Sequence, residues 1–221
     1  MKIGLITAMS KEMELFADIA KNLTTETIGT QRFSCGQIKT HEIAATVSGI
    51  GKVNAALTAM TLIKHYQVDL ILNIGISGGL DASLEIGDFV LGRDIVYHDV
   101  WCGEGNEYGQ VQDMPLYYHS DAALVAKLPQ FKQGLLCCGD RFVSESSELN
   151  AIKNKFPQAL AVDMESAAIA QTCWLHQIPF LCIRQISDTP GAKHHQEQYD
   201  AFWKNAPQNS MMTLYKILET I

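Results

Sequence analysis

Three stretches of the chain place carboxylates where a buried run of residues ends, and acids in such positions are candidates for moving protons. Met9-Ser10-Lys11-Glu12-Met13-Glu14 follows a short apolar run, so Glu12 falls at a strand-to-helix junction of the kind where ligands gather in α/β sheets. Ser10 as a helix cap and Glu12 as an ordinary first-turn acid explain the same residues without chemistry. Ala161-Val162-Asp163-Met164-Glu165-Ser166 sets two acids between an apolar strand and an apolar helix. In the interior both need partners, because an unpaired buried carboxylate takes up a proton instead. Helix capping by Asp163 accounts for one acid and leaves Glu165 unexplained. Arg184-Gln185-Ile186-Ser187-Asp188 ends a further strand with an acid and an arginine that can pair with it, before the turn Thr189-Pro190-Gly191.

Two glycine clusters accompany these acids. Asn73-Ile74-Gly75-Ile76-Ser77-Gly78-Gly79-Leu80 follows a buried strand, where absent side chains allow either a sharp turn or close approach to a ligand. Ser48-Gly49-Ile50-Gly51-Lys52 reads as a second strand-to-helix turn, with Lys52 either solvated or part of an anion site. Neither cluster has the spacing of a phosphate loop or a dinucleotide fingerprint. The histidines, His194-His195 included, and the cysteines lack zinc-ligand spacing, so no metal is expected.

Short continuous apolar runs that must position these residues lie at Ile3 to Ala8, Ile43 to Ser48, Leu70 to Gly75, Phe89 to Leu91, Leu135 to Cys138 and Phe180 to Ile186, and they read as strands buried on both faces. Helical spacing covers Ser10 to Lys21, Val53 to Tyr66, Ser147 to Phe156, Met164 to His176 and about Gln198 to Leu218. Residues 28 to 48 and 85 to 97 resemble successive strands turning at Gly36-Gln37 and Gly87-Asp88, which predicts a mixed rather than parallel sheet. The expected fold is α/β: a three-layer α/β/α sandwich around a twisted, mixed central sheet, formed as one domain over residues 1–221. Asp99 to Pro115 is the one long irregular loop and a candidate pocket wall.

A formal net charge of -7 disfavours a broad grip on nucleic acid, which needs clustered Lys and Arg. No apolar run nears the roughly 20 residues that span a bilayer, and the amino end reads as a strand without a signal, so no membrane association and a cytoplasmic location are expected. The six cysteines are expected to be buried thiols; the vicinal pair Cys137-Cys138 would point to opposite faces of a strand.

Taken in order, Ala8-Met9 with Glu12, Ser48-Gly49-Ile50-Gly51-Lys52-Val53, Asn73 with Gly75 and Gly78-Gly79-Leu80, Gly139-Asp140 with Phe142, Met164-Glu165 and Ile186-Ser187-Asp188 closely resemble the bacterial 5'-methylthioadenosine/S-adenosylhomocysteine nucleosidases, of the nucleoside phosphorylase fold. The similarity spans nearly the whole chain. It implies that Glu12 activates the attacking water and Asp188, oriented by Ser187, protonates the purine at N7. It further implies that Glu165 binds the ribose hydroxyls, Met164 packs under the sugar, Phe142 stacks on adenine, the Val143 backbone reads the base edge, and Ile76 lies in the pocket. Cleaving an N-glycosidic bond builds positive charge on ribose and negative charge on the base, which suits carboxylates at one end and an acid at the other. An ordinary Asp has a pKa of about 3.9, so that role requires burial or a hydrogen bond to raise it. The implied partners are an adenine nucleoside, water as nucleophile and a second copy of the chain, whose loop closes the tail pocket; no cofactor is implied.

A phosphorylase would need arginines around its phosphate, whereas no Arg occurs at Met9-Ser10-Lys11-Glu12 or just before Gly75, which favours hydrolysis. Ile76-Ser77, Asp163 and Cys138 depart from the bacterial pattern of Ser-Ala, Glu and Ser. The loop after Asp99 is short and carries Glu104 and Asn106 where aromatic tail contacts are common, leaving Trp101, Met114 and Phe202 to supply apolar walls. A sister nucleosidase acting on aminodeoxyfutalosine or 5'-deoxyadenosine, and a non-catalytic nucleoside binder, stay open as alternatives.

Overall fold

The computed structural model describes residues 1–190, 195–203 and 206–221. In chain order its elements are β1 (Lys2–Thr7), α1 (Ser10–Met13), α2 (Phe16–Ile19), β2 (Lys21–Ile28), β3 (Gln31–Ile38), β4 (His41–Val47), α3 (Lys52–Lys64), β5 (Leu70–Gly79), β6 (Phe89–Tyr97), β7 (Tyr118–His119), α4 (Ala122–Ala126), β8 (Lys132–Cys138), α5 (Ser146–Lys155), β9 (Ala159–Asp163), α6 (Ser166–His176), β10 (Phe180–Asp188), α7 (His195–Phe202) and α8 (Ala206–Thr220).

The central sheet is mixed, as expected. β1 lies parallel to β4 and β5, β5 is parallel to β10, and β10 runs antiparallel to β6. β6 then continues through β8 and β9 back to β5, so this part of the sheet closes on itself. Ile6, Ala44 and Ile71 pack with Ala55, Ala59 and Leu62 of α3 and Ala167 and Ile169 of α6, while Ile3, Leu5 and Leu72 pack with Leu214 and Ile217 of α8. Helices therefore cover both faces, and alternate residues of each central strand are buried against different helices.

Several expectations need correction. The helix expected over residues 10–21 is two short helical turns interrupted at Glu14 and Leu15, and Lys21 already belongs to β2. β2 has no buried residue, so it lacks the apolar signal of the other strands and forms by pairing with β3. Gly36-Gln37 lies inside β3; the turns are at Gly29 and Lys39, both at positive φ. Gly36 serves close approach instead, since a Cβ there would sit 3.0 Å from the Lys21 carbonyl. Gly87 does turn the chain (φ 98°), but the segment before it forms no strand, and the antiparallel partners of β6 are β10 and β7. The carboxyl-terminal helical segment is divided into α7 and α8. Gly191 and His194 lie outside the described residues. All six cysteines are free, and Cys137, Cys138, Cys173 and Cys182 are buried, but Cys35 is only half-buried and Cys102 is exposed on the loop after β6.

Candidate active site

The carboxyl ends of β1, β5 and β10, with the loops after β4, β8 and β9, surround a cleft of about 680 Å³ including its open mouth. All eight residues singled out from the sequence line it: Glu12, Ile76, Phe142, Val143, Met164, Glu165, Ser187 and Asp188.

Glu12 comes in from α1. Met9 is the helix cap and Ser10 the first helical residue, so Ser10 does not take the expected cap position. The Glu12 carboxylate turns back on its own helix start, where Oε2 accepts the amides of Ala8 and Met9 at 2.8 Å each, while Oε1 accepts the Ile76 amide at 3.0 Å. Burial raises its pKa against the opposing pull of the Met9 amide and the Arg184 charge. A buried carboxylate held by three fixed donors is oriented, and its raised proton affinity makes it a stronger base.

β5 passes this carboxylate without turning. The residues read as a turn or ligand approach continue the strand to Gly79, and their glycines make room for neighbouring side chains. A Cβ on Gly75 would stand 3.0 Å from Glu12 Oε1, and one on Gly78 would stand 2.9 Å from Pro190 and 3.4 Å from Asp188 Oδ2.

Asp188 ends β10 beyond an irregularity. Ile186 opposes Ser77 and Asp188 opposes the next residue, Gly78, leaving Ser187 as the extra residue of a bulge. Ser187 and Asp188 are both buried, and the Ser187 hydroxyl lies within reach of Asp188 Oδ1 and the Ser77 carbonyl.

Asp163 and Glu165 divide two tasks. Asp163 Oδ1 accepts the amides of Glu165 and Ser166 and the Ser166 hydroxyl, which is the capping role. Its Oδ2 accepts Nε of Arg184 at 2.9 Å, so the buried arginine pairs with Asp163, and the alternative of an Arg184 to Asp188 pair is not adopted. Arg184 also reaches the Asn73 side chain and carbonyl. Glu165 accepts the Gly51 amide at 2.9 Å, and burial, helped by the Asp163 charge, pushes its carboxyl up to about 7. Gly51, at φ 97°, can aim that amide because it has no side chain.

Two arginines line the cleft, Arg141 and Arg184, and both are paired with carboxylates, to Glu148 and Asp163 respectively. The Lys52 ammonium is committed to two carboxylates of the chain, 2.8 Å from Asp99 and 3.8 Å from Asp140, while its side chain stays partly exposed. Among the described residues no three His, Cys, Asp or Glu side chains gather as a metal site requires.

The same chemistry-bearing residues sit within a known family. The phosphorylase superfamily model matches residues 2–221. A 5'-methylthioadenosine/S-adenosylhomocysteine nucleosidase of Bacillus thuringiensis is 37% identical over 231 residues, covering 100% of both chains. The chain belongs to this nucleosidase family. Among solved structures, the Streptococcus pneumoniae nucleosidase with the transition-state inhibitor MT-ImmA superposes with a TM-score of 0.95 at 34% identity, covering 100% of this chain and 99% of that one. The futalosine hydrolase of Helicobacter pylori also superposes closely, with a TM-score of 0.93 at 26% identity over 100% of this chain and 98% of that one.

Within this nucleosidase fold, sequence reasoning missed Tyr199. It lines the cleft from α7, with its ring 6.0 Å from that of Phe142 and its hydroxyl 3.9 Å from Met9 Sδ. Its neighbours Gln198 and Asp200 are polar, so nothing local marked it. The apolar walls expected from Trp101, Met114 and Phe202 are absent from the described lining. The loop after Asp99 folds on itself instead: the Tyr108 hydroxyl donates to the His98 carbonyl, the Gly109 amide to Val100, and Trp101 stacks on Tyr108 while remaining exposed.

Proposed function

We propose that this chain hydrolyses the N-glycosidic bond of 5'-methylthioadenosine and S-adenosylhomocysteine, releasing adenine and the 5-substituted ribose. The observation that carries the reading is the meeting of Glu12, Glu165 and Asp188, from three separate elements, in one cleft of a nucleosidase-family fold. Glu12 takes a proton from water as its oxygen bonds to the anomeric carbon. The bond from that carbon to the purine breaks, and Asp188 delivers a proton to N7. Glu165 holds the ribose hydroxyls, Met164 supports the sugar, Phe142 covers the base, and the Val143 backbone reads its edge. The oxocarbenium-like charge develops beside Glu12 and Glu165, where carboxylates stabilise it. Direct attack opposite the base inverts the anomeric carbon, by analogy with inverting glycosidases. The reaction balances with water alone and uses no cofactor.

A carboxylate at the attacking position repels phosphate, and the two lining arginines are already paired, which supports hydrolysis over phosphorolysis. The likeness to a futalosine hydrolase favours one competing reading, a sister nucleosidase with another 5' preference. Adenine release in phosphate-free buffer is the test, measured across methylthioadenosine, S-adenosylhomocysteine, 5'-deoxyadenosine and aminodeoxyfutalosine. Release from the first two, independent of added phosphate, is expected. Release only from the others would move the assignment to the sister activity, and an absolute phosphate requirement would end the hydrolase reading.

The proposed working form is a homodimer of one domain spanning 1–221, acting in the cytoplasm in methionine salvage. Val53, Leu57 and Met60 form an exposed apolar row on α3, at the spacing of one helix face, and Trp174 and Leu175 of the adjoining α6 are exposed as well. Ile50, also exposed, joins this face to the cleft, which supports a second copy seated at the mouth. The free thiols are compatible with a reducing compartment, and no described helix is long and apolar enough to cross a membrane.

A further inference from the structure

We infer that Lys52 is a positioning residue for the substrate pocket: clasped between Asp99 and Asp140, it fixes the turn that holds Glu165 against the loop that carries Phe142 and Val143. The inference rests on the hydrolase reading above, and it assigns a task to a lysine that touches no part of the cleft.

Three chain segments distant in sequence meet at this ammonium. Lys52 opens α3 directly after the Ser48 to Gly51 turn, Asp99 follows the end of β6, and Asp140 follows the end of β8. Lys52 Nζ donates to Asp99 Oδ2 at 2.8 Å and lies 3.8 Å from Asp140 Oδ2. The Lys52 amide donates to Asp140 Oδ1 at 2.7 Å, and the Asp140 amide donates to the same Asp99 Oδ2 at 2.8 Å. Lys52, Asp99 and Asp140 thus form a closed ring of polar contacts, backed by the Tyr97 ring 5.3 Å from the ammonium. The Lys52 and Asp99 side chains are each only about a quarter exposed (23% and 26%), so this pair is better shielded than an ordinary surface ion pair.

Both sides of the ring lead into the pocket. On one side, the residue before Lys52 is Gly51, whose amide binds Glu165 Oε1. On the other, Arg141 is all that separates Asp140 from Phe142 and Val143. The latch therefore sets the distance between the ribose-binding carboxylate and the base-binding loop. It leaves the proposed proton-transfer groups alone: Glu12 is held by the Ala8, Met9 and Ile76 amides, and Asp188 lies beside Ser187. Loosening the latch lowers the fraction of molecules whose two pocket halves are in register. Apparent affinity falls by that fraction, while the chemistry of those in register is retained. A surface salt bridge with only a structural role would lower thermal stability and leave KM where it was.

The test compares wild type, Lys52→Met, Lys52→Arg and Asp140→Asn in methylthioadenosine turnover, with adenine binding followed separately by calorimetry. For Lys52→Met, KM is expected to rise about 10-fold with a parallel loss of adenine affinity, and kcat to stay within about 2-fold of wild type. Lys52→Arg keeps the charge and the reach, and should bring KM back to within about 3-fold of wild type. An unchanged KM and adenine affinity in Lys52→Met, or a loss confined to kcat, would overturn the proposal. If Lys52→Met does not fold, Asp140→Asn decides: it retains the Oδ1 acceptor and removes one charge of the clasp, and an unchanged KM there is equally fatal. Adenine binding separates this proposal from the hydrolase reading. A wild type that binds adenine without releasing it from nucleosides would sink the catalytic assignment alone, and the latch would still be judged on adenine affinity.

Discussion

Replacing Glu165 by Gln should make the folded protein more stable and the enzyme worse, and the stability gain should appear only at higher pH. In the folded state burial and the Asp163 charge raise this carboxyl from 4.5 to about 7, against the pull of the Gly51 amide and Arg184; Glu12 across the cleft pushes in the same direction as Asp163. A group whose folded pKa is raised gives its full stabilisation below the unfolded value and loses it as pH climbs through the folded one. The window runs from about 4.5 to about 7. At about 1.4 kcal/mol per pKa unit, keeping Glu165 ionised above that window costs the fold roughly 3 kcal/mol. Gln keeps an oxygen for the Gly51 amide and carries no charge to bury. The difference in Tm between Glu165→Gln and wild type should therefore grow from near zero at pH 4.5 to roughly 6–12 °C at pH 8 for a chain of this length. In the same preparations kcat/KM should drop about 10- to 100-fold, because an amide gives up the proposed charge-assisted hydrogen bond to the ribose. Scanning calorimetry at half-unit pH steps supplies the profile. A Tm difference that does not change between pH 4.5 and 8 would refute the argument that burial of this charge strains the site.

Glu12→Gln and Asp188→Asn should each lower kcat by roughly 10²-fold or more, since each removes one end of the proposed proton transfer; near-normal turnover in either variant takes that residue out of the mechanism. Leu57→Glu, in the middle of the exposed α3 row, should dissociate the proposed dimer in light scattering and raise KM for methylthioadenosine. A wild type that is monomeric and fully active at the assay concentration removes the dimer from the account.

The strands that frame the cleft were legible because they are largely buried: β1, β4, β5, β8 and β10 carry short apolar runs, interrupted in β5 by Asn73 and in β10 by Arg184 and Gln185. β2 was not, because a strand exposed along all but its last residue has no burial pattern to reveal it. The two-residue β7 is shorter than any periodicity can register. At the site, Glu12 and Asp188 could be singled out by order and company but not by local sequence, since first-turn acids and strand-end acids are common for other reasons. Asp163 was legible as a cap and illegible as the partner of Arg184, because that pairing joins β9 and β10, two strands that each pair with β5 and not with one another. Tyr199 and the Lys52 clasp were hidden for a related reason: the contacts that place them in the site reach 47 to 190 residues along the chain, and no spacing rule extends that far.

The bulge at Ser187 bears on how such a site can change over time. Because the strand gains one residue between Ile186 and Asp188, the carboxylate owes its place to a count of residues along β10 as much as to its own identity. Point substitutions can remove that carboxylate but cannot slide it along the cleft. Only an insertion or deletion would do so, and one earlier in β10 would shift its register against β5 and, at Ile183 to Gln185, against β6. The loop that carries Phe142 and Val143, and α7, which carries Tyr199, lie outside the paired strands and carry no such constraint. Diversification of substrate in this fold should accordingly proceed through these segments, with the spacing of the β10 carboxylate inherited unchanged.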